Sequence, residues 1–179
     1  MILLFSGGYD STLLALRYID EIRVLLHIQY RHPAEVFELR AVEEIASKLI
    51  AANPKISLIT LNAPIYAEDM DIGSCKQGSR YVPNRNAIFL SLAANIARQH
   101  DCDTVIYGAS PADQCDYFDC TPPFIQLMAK ALRIKVYAPL LDACDFDVGD
   151  TKLLEMSWSC YQPIGEKPCG MCNSCKQRK

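Results

Sequence analysis

The chain has 179 residues, half of them hydrophobic and 22% charged, with a net charge of −3. That length supports one domain with a sizeable core. The acidic balance argues against a protein whose main activity is sequence-independent binding of nucleic-acid phosphates, and no apolar run approaches the ~18 residues of a membrane span. The start, "MILLFSGG", lacks the basic opening of a signal peptide. Nine cysteines, four of them in the last twenty residues, then favour a reducing compartment and a metal site over a disulfide framework. The expected location is the cytoplasm.

Met1 to Phe5 reads as a short buried strand that stops at Ser6-Gly7-Gly8. Helical spacing follows at Leu14, Ala15, Tyr18, Ile19 and Ile22, with Asp10 or Ser11 as the expected cap. Val24 to Ile28 is a second strand. Pro33 stands near the start of a helix whose face is Val42, Ile45, Ala46 and Leu49, and Asn53-Pro54 ends it. Ile56 to Leu61 is a third strand, and a polar irregular stretch runs from Asn62 to Ser79. Asn86 to Gln99 is a helix apolar nearly all round, which predicts a buried helix. Thr104 to Tyr107, a helix over Phe124 to Leu132, and Val136 to Ala138 complete the pattern. Strands and helices alternate, and the strands are continuous apolar runs. This predicts an α/β fold with a five-stranded parallel sheet covered by helices on both faces. The polar motifs then fall at the carboxyl ends of the strands, where such sheets bind ligands. The expected division is an α/β domain over residues 1–156 and a small unit over 157–179.

The stretch "SGGYDST", Ser6 to Thr12, lies between a strand and a helix. Free N–H groups and the dipole at a helix start favour an anion. Gly7 and Gly8 allow close approach of the backbone, and Ser6, Ser11 and Thr12 can add hydroxyl donors. There is no lysine, so this is not a Walker loop, and the third glycine of a dinucleotide fingerprint is missing. A loop of N–H and hydroxyl donors suits pyrophosphate as a leaving group, hence attack at the α-phosphate and transfer of AMP to an acid.

The tail carries Cys160, Cys169, Cys172 and Cys175 at C-x8-C-x2-C-x2-C. Four thiolates at this spacing suit tetrahedral zinc, with an iron–sulfur cluster as the main competitor. The tail is too short for a hydrophobic core, so metal binding would supply its folding energy. A closed four-cysteine site leaves no open position for substrate, which makes the expected role structural.

These stretches, together with "YRHPAE" from Tyr30, "YVPNRNAIFLSLAA" from Tyr81, "GASPADQCDYFDC" from Gly108 and "WSCY" from Trp158, resemble the 7-cyano-7-deazaguanine synthase (QueC-like) family of PP-loop ATP pyrophosphatases. The resemblance implies a Rossmann-like fold of the adenine nucleotide alpha hydrolase type. It also implies an ATP-dependent, AMP- and pyrophosphate-forming C–N ligase of queuosine and 7-deazaguanine biosynthesis. The substrate would be 7-carboxy-7-deazaguanine, converted with ammonia through the amide to the nitrile. ATP, Mg2+, structural Zn2+ and a homodimer are implied with it.

On this resemblance Ser6, Gly7, Gly8, Asp10, Ser11, Thr12, Arg31, His32, Arg85 and Asn86 would bind ATP. Asp10, Ser11, Arg85 and Asp119 would take catalytic roles, Arg85 neutralising an oxyanion or phosphate. Asn86 at the start of its helix also reads as a plain cap. Asp113, Tyr117, Asp119 and Cys120 would face the substrate. Asp113, Asp116 and Asp119 crowd one segment, which points to magnesium or to base recognition. The chain departs from the family pattern in several places: Tyr30 runs straight into Arg31 where the family has Gly-Gln, Asn84 replaces a glycine, Pro111 replaces an acidic residue, and the region before the cysteine tail, like the chain as a whole, is shorter than usual. Cys75, Cys102, Cys115 and Cys144 carry no assignment. Three other readings are compatible with the residues. One is a diverged ligase of an anti-phage or DNA-modification system that stops at an amide or conjugates a protein or DNA acceptor. The second is a non-catalytic module that binds nucleotide and carries a zinc knuckle. The third, by analogy within the superfamily, is a tRNA thiolation enzyme, which would normally carry an extra RNA-binding domain and catalytic cysteines.

Overall fold

The computed structural model describes residues 1–65, 82–114, 117–142 and 152–178. In chain order these form β1 (Ile2–Leu4), α1 (Tyr9–Arg17), β2 (Val24–Gln29), α2 (Glu35–Ala52), β3 (Ser57–Asn62) and α3 (Arg85–Gln99). Then come β4 (Thr104–Ile106), α4 (Pro111–Gln114), a 3-10 turn (Phe118–Cys120), α5 (Pro122–Leu132), β5 (Lys135–Tyr137), a second 3-10 turn (Pro139–Leu141), α6 (Lys152–Glu155) and α7 (Asn173–Gln177). Cys75, Cys115, Asp116 and Cys144 lie outside the described residues. Among the described residues no helix is long and apolar enough to cross a membrane.

The strands are apolar runs because both sheet faces are covered. Ile2, Val24, Leu26, Ile28, Val105 and Val136 point into one core with Leu90, Ala93 and Ala97 of α3 and Phe124 of α5. Leu3, Phe5, Leu25 and Ile106 point into the other, with Leu14 and Ala15 of α1 and Val42, Ile45 and Leu49 of α2. The five strands are all parallel, in the order β3-β2-β1-β4-β5. The order reverses between β1 and β4, so the crevice for a ligand opens above the carboxyl ends of those two strands.

Three local expectations change. The cap of α1 is Gly8, with no side-chain cap bond, and the helix begins at Tyr9; Asp10 and Ser11 lie inside its first turn. Asn86 is not a cap either, because α3 already starts at Arg85 with Asn84 before it. And α3 is not buried all round: Ile88, Ser91, Asn95 and Arg98 are exposed on one side. It packs on one face of the sheet, so only one stripe of the helix is covered. Asn84 has φ +59°. An α-left-handed residue preceding a helix explains why the family's glycine can be replaced by asparagine, the non-glycine residue that best tolerates this conformation.

Candidate active site

The loop after β1 is wedged against α2. Gly7 has φ +71°, and a Cβ there would lie 2.9 Å from Val42 N and 3.1 Å from Glu38 O. No other residue fits. Gly108, at the end of β4, is pressed to α1 in the same way: its Cβ would meet Asp10 Cβ at 3.2 Å and Ser11 N at 3.4 Å. Gly7 thus lets the loop lie on α2, and Gly108 lets the end of β4 approach the start of α1. The loop hydroxyls serve the loop's own backbone. Ser11 Oγ donates to Gly8 O (3.1 Å) and accepts from Ser6 N (3.3 Å), Thr12 Oγ1 donates to Gly8 O (2.8 Å), and Ser6 Oγ accepts from Gly8 N (3.3 Å). Ser11 and Thr12 are buried and Ser6 is exposed. Ser6 N and Gly8 N thus go to the loop's own hydroxyls, and Ser6 is the exposed hydroxyl residue of the loop.

Asp10 projects from this loop toward the α4 segment. Burial, together with the negative field of Asp113, raises its pKa from 3.8 to about 6. Asp113 is held by Ser110, whose N and Oγ donate to Oδ2 at 3.2 and 2.7 Å. The negative field of Asp113 at Asp10 is one that a cation would offset.

Arg85 closes the other side. Its Nη1 donates to Tyr30 Oη at 3.0 Å. Burial works against its charge, but a guanidinium stays protonated, and the Tyr30 hydroxyl and the Glu38 carboxylate support it. Asp119 carries a raised pKa, from burial first, with Arg85 and the Asn86 amide opposing the rise. Asn86 Nδ2 points to Asp119 O (3.5 Å) and Cys120 Sγ (3.8 Å), and Tyr107 Oη donates to Asp119 O (3.1 Å). Burial, Asp113 and Asp119 push the Cys120 thiol up to about 12, so it is a neutral thiol and not a nucleophile. Asp113, Asp119, Cys120, Arg85 and Asn86 therefore form one neighbourhood. Tyr117 packs partly buried against the adjoining core. His32 is tied to two neighbours of Arg85: its Nε2 lies 3.4 Å from Glu38 Oε2, and its ring is 4.6 Å from that of Tyr30. Arg31 is exposed.

The four tail cysteines bring their sulfurs within 4.8 Å of one another. Cys169 and Cys175 Sγ are 3.9 Å apart, far beyond a disulfide. Tetrahedral zinc at 2.3 Å from each sulfur implies about 3.8 Å between sulfurs. An iron–sulfur cluster would hold its thiolates further apart. Gly170, at φ +68°, makes the knuckle, and the N–H groups of Met171 and Cys172 point at Cys169 Sγ (3.4 and 3.3 Å). The donor set fits a single tetrahedral ion.

Several residues around the site escape a reading by motif. Tyr30, Glu38 and Tyr161 surround Arg85. Trp158 stacks on Phe37 at 4.6 Å, and its N donates to Gly7 O at 2.9 Å. Only the position of "WSCY" beside a metal ligand hinted at the last two. His27 is the other: buried on β2, its Nδ1 lies 3.0 Å from Phe5 O, and its Nε2 is buried without a hydrogen-bond partner among the described residues. A lone polar residue in an apolar strand was its signal. At the opposite end of the sheet, a cavity of 420 Å³ is lined by Met1, Arg23, Lys55 and His100. It lies at the amino ends of the strands, away from the crevice where parallel sheets bind ligands.

The whole chain, residues 1–179, matches the family "Queuosine biosynthesis protein QueC". The 7-cyano-7-deazaguanine synthase of Nitratiruptor sp. is 34% identical over 203 residues, covering 99% of this chain and 90% of the relative. That of Sulfurimonas denitrificans is 31% identical, covering 99% and 89%. Among solved structures, the U34-tRNA thiolase NcsA from Methanococcus maripaludis with its [4Fe-4S] cluster has a TM-score of 0.51 and 15% identity, over 92% of this chain and 60% of the thiolase. That likeness shows a shared fold. A lysine-free loop at the switch point, a buried arginine opposite it, a cysteine knuckle and full-length matches converge: the chain belongs to the QueC family of queuosine biosynthesis proteins.

Proposed function

We propose that the chain is an ATP-dependent 7-cyano-7-deazaguanine synthase. The observation that carries this is the lysine-free loop at the switch point, seated on α2 at Gly7 and met by Gly108 at Asp10 and Ser11. Its N–H groups and Ser6 hold the leaving pyrophosphate, which directs attack to the α-phosphate. The acid oxygen of 7-carboxy-7-deazaguanine displaces pyrophosphate to give an acyl adenylate. Ammonia then displaces AMP to give the amide. The amide oxygen attacks a second ATP, and loss of AMP and a proton leaves the nitrile. Asp10 and Asp113 would hold Mg2+, which screens the phosphate charge. Arg85, bonded to the Tyr30 hydroxyl, brings a permanent positive charge toward the developing negative charge. The backbone-anchored Asp119 offers a carboxylate to the N–H edge of the deazaguanine, beside the thiol of Cys120. Arg31 and His32 flank the same crevice on the chain after β2, with His32 held on Glu38. The cysteine tail 157–179 would be a unit folded by Zn2+, supported by the sulfur spacing. A homodimer fits the exposed Phe118 and Leu127, and a cytoplasmic location fits the free thiols.

The test is a reaction of purified protein with MgATP, ammonium and 7-carboxy-7-deazaguanine, read by mass spectrometry. The expected products are the nitrile and two AMP per turnover, with pyrophosphate release abolished in Asp10→Ala and in Ser11→Ala while the metal is retained. Amide as the end product, or AMP with no free nitrile, would overturn the synthase in favour of a ligase.

A further inference from the structure

The tail reaches into the loop at two points. Trp158 N donates to Gly7 O at 2.9 Å, and Tyr9 N donates to Ser159 Oγ at 3.4 Å. Tyr9 N is the first N–H of α1, one of the unpartnered donors that a helix start turns toward an anion. A hydroxyl on that N–H therefore stands on the anion's side of the loop. Trp158 O also lies 3.5 Å from where a Cβ on Gly8 would be. The strap is short and tied to the cluster: Trp158 Nε1 donates to Cys160 O at 2.8 Å, and Cys160 is itself one of the four clustered cysteines. It is also held laterally, by the stack of Trp158 on Phe37 and by Arg40 on Glu166 at 2.8 Å. Tyr161, the next residue, adds to the field at Arg85. An ion that fixes Cys160 thus fixes Trp158 and Ser159, and through them the orientation of the Gly7 peptide.

We propose that the strap 158–161 is part of the nucleotide site: Ser159 is a phosphate-binding residue, Trp158 is a positioning residue for the loop, and metal loading of the cysteines is coupled to nucleotide binding. This rests on the reading of the loop as an ATP site. Coupling of this kind is reciprocal, so the metal must strengthen nucleotide binding by the same factor as nucleotide strengthens metal binding.

The experiment uses the full, zinc-loaded chain and the Mg2+ complex of α,β-methylene-ATP, with affinity measured by calorimetry. Ser159→Ala should weaken binding about three- to tenfold, the range of one hydrogen bond, with bound zinc unchanged, and Ser159→Thr should retain the affinity. In the wild type, zinc affinity measured against a competing chelator should rise about tenfold when the analogue saturates the site. Equal affinity of wild type and Ser159→Ala would overturn the role of Ser159. Zinc affinity indifferent to the analogue would overturn the coupling. Failure of the zinc-loaded wild type to bind the analogue would overturn the nucleotide reading itself, and the proposal with it.

Discussion

Asp10 is the residue on which the chemistry and the stability of the loop conflict. Its pKa is raised to about 6 in the fold, against 3.8 for the free group. The folded chain therefore holds the extra proton between these values, and stability falls as pH rises through that window. Above pH 6 the folded protein carries a buried carboxylate at a cost. Asp10→Asn should stabilise the ligand-free protein at pH 7.5 by roughly 1–3 kcal/mol, and should have little effect below pH 4, measured by urea denaturation; no gain at pH 7.5 would refute the buried charge. For the same reason, binding of MgATP near pH 6 should release a fraction of a proton, seen as a dependence of calorimetric heat on the ionisation enthalpy of the buffer. His27 works in the opposite direction. A carbonyl only accepts, so the neutral ring carries its proton on Nδ1 toward Phe5 O, leaving Nε2 a bare buried acceptor. Burial lowers its pKa below 6.5. As pH falls below about 6.5 the unfolded chain takes up a proton the folded one resists, and stability drops by at most about 1.4 kcal/mol per pH unit. His27→Phe should remove that slope, whatever its effect on absolute stability.

At the scale of elements, the decisive contacts are backbone to backbone. The loop can lie on α2 only because Gly7 has no Cβ and a positive φ. Gly7→Ala combines the conformational cost with a clash against Val42 N and Glu38 O. We expect a loss of about 2 kcal/mol or more together with loss of pyrophosphate release, checked by denaturation and a coupled assay. Asn84 is a milder case. Its φ of +59° has open space on the exposed start of α3, so Asn84→Ala should cost about 1 kcal/mol and Asn84→Gly almost nothing. Equal stabilities for the two variants would contradict the left-handed conformation.

At the scale of the molecule, the cysteine knuckle ties the far end of the chain to its beginning. Arg178 donates to the carbonyls of Leu154 and Glu155, at 3.1 and 2.9 Å, and so closes the tail onto α6. Removing the metal, by chelation or by Cys172→Ser, should lower the melting temperature of the chain and not only loosen its last residues; an unchanged melting temperature would make the tail an independent appendage. Leu127 is exposed on the outer side of α5. Light scattering should find a dimer for the wild type and a monomer for Leu127→Glu, with the unfolding midpoint rising with protein concentration in the wild type alone. A monomeric wild type would remove the homodimer.

Much of this was legible in the linear chain because it depends on local pattern. Apolar runs of strand length alternating with 3.6-period helices led to a parallel sheet. Ser-Gly-Gly between strand and helix led to the turn at the switch point, and C-x2-C-x2-C led to a cluster of cysteines that could hold a metal. Those signals are carried by neighbouring residues, and neighbouring residues set backbone conformation and ligand spacing. The caps of α1 and α3 lie two or three residues before the side chains that the sequence offers for them, since neither Gly8 nor Asn84 makes a side-chain cap bond. The exposed side of α3 was not legible, because burial depends on what packs against a helix. What the chain order could not disclose was the company each residue keeps: Tyr30 on Arg85, 55 residues apart, and Ser159 on Tyr9, 150 residues apart. Such contacts follow from the crossing of strands in three dimensions, and no periodicity in the sequence encodes them.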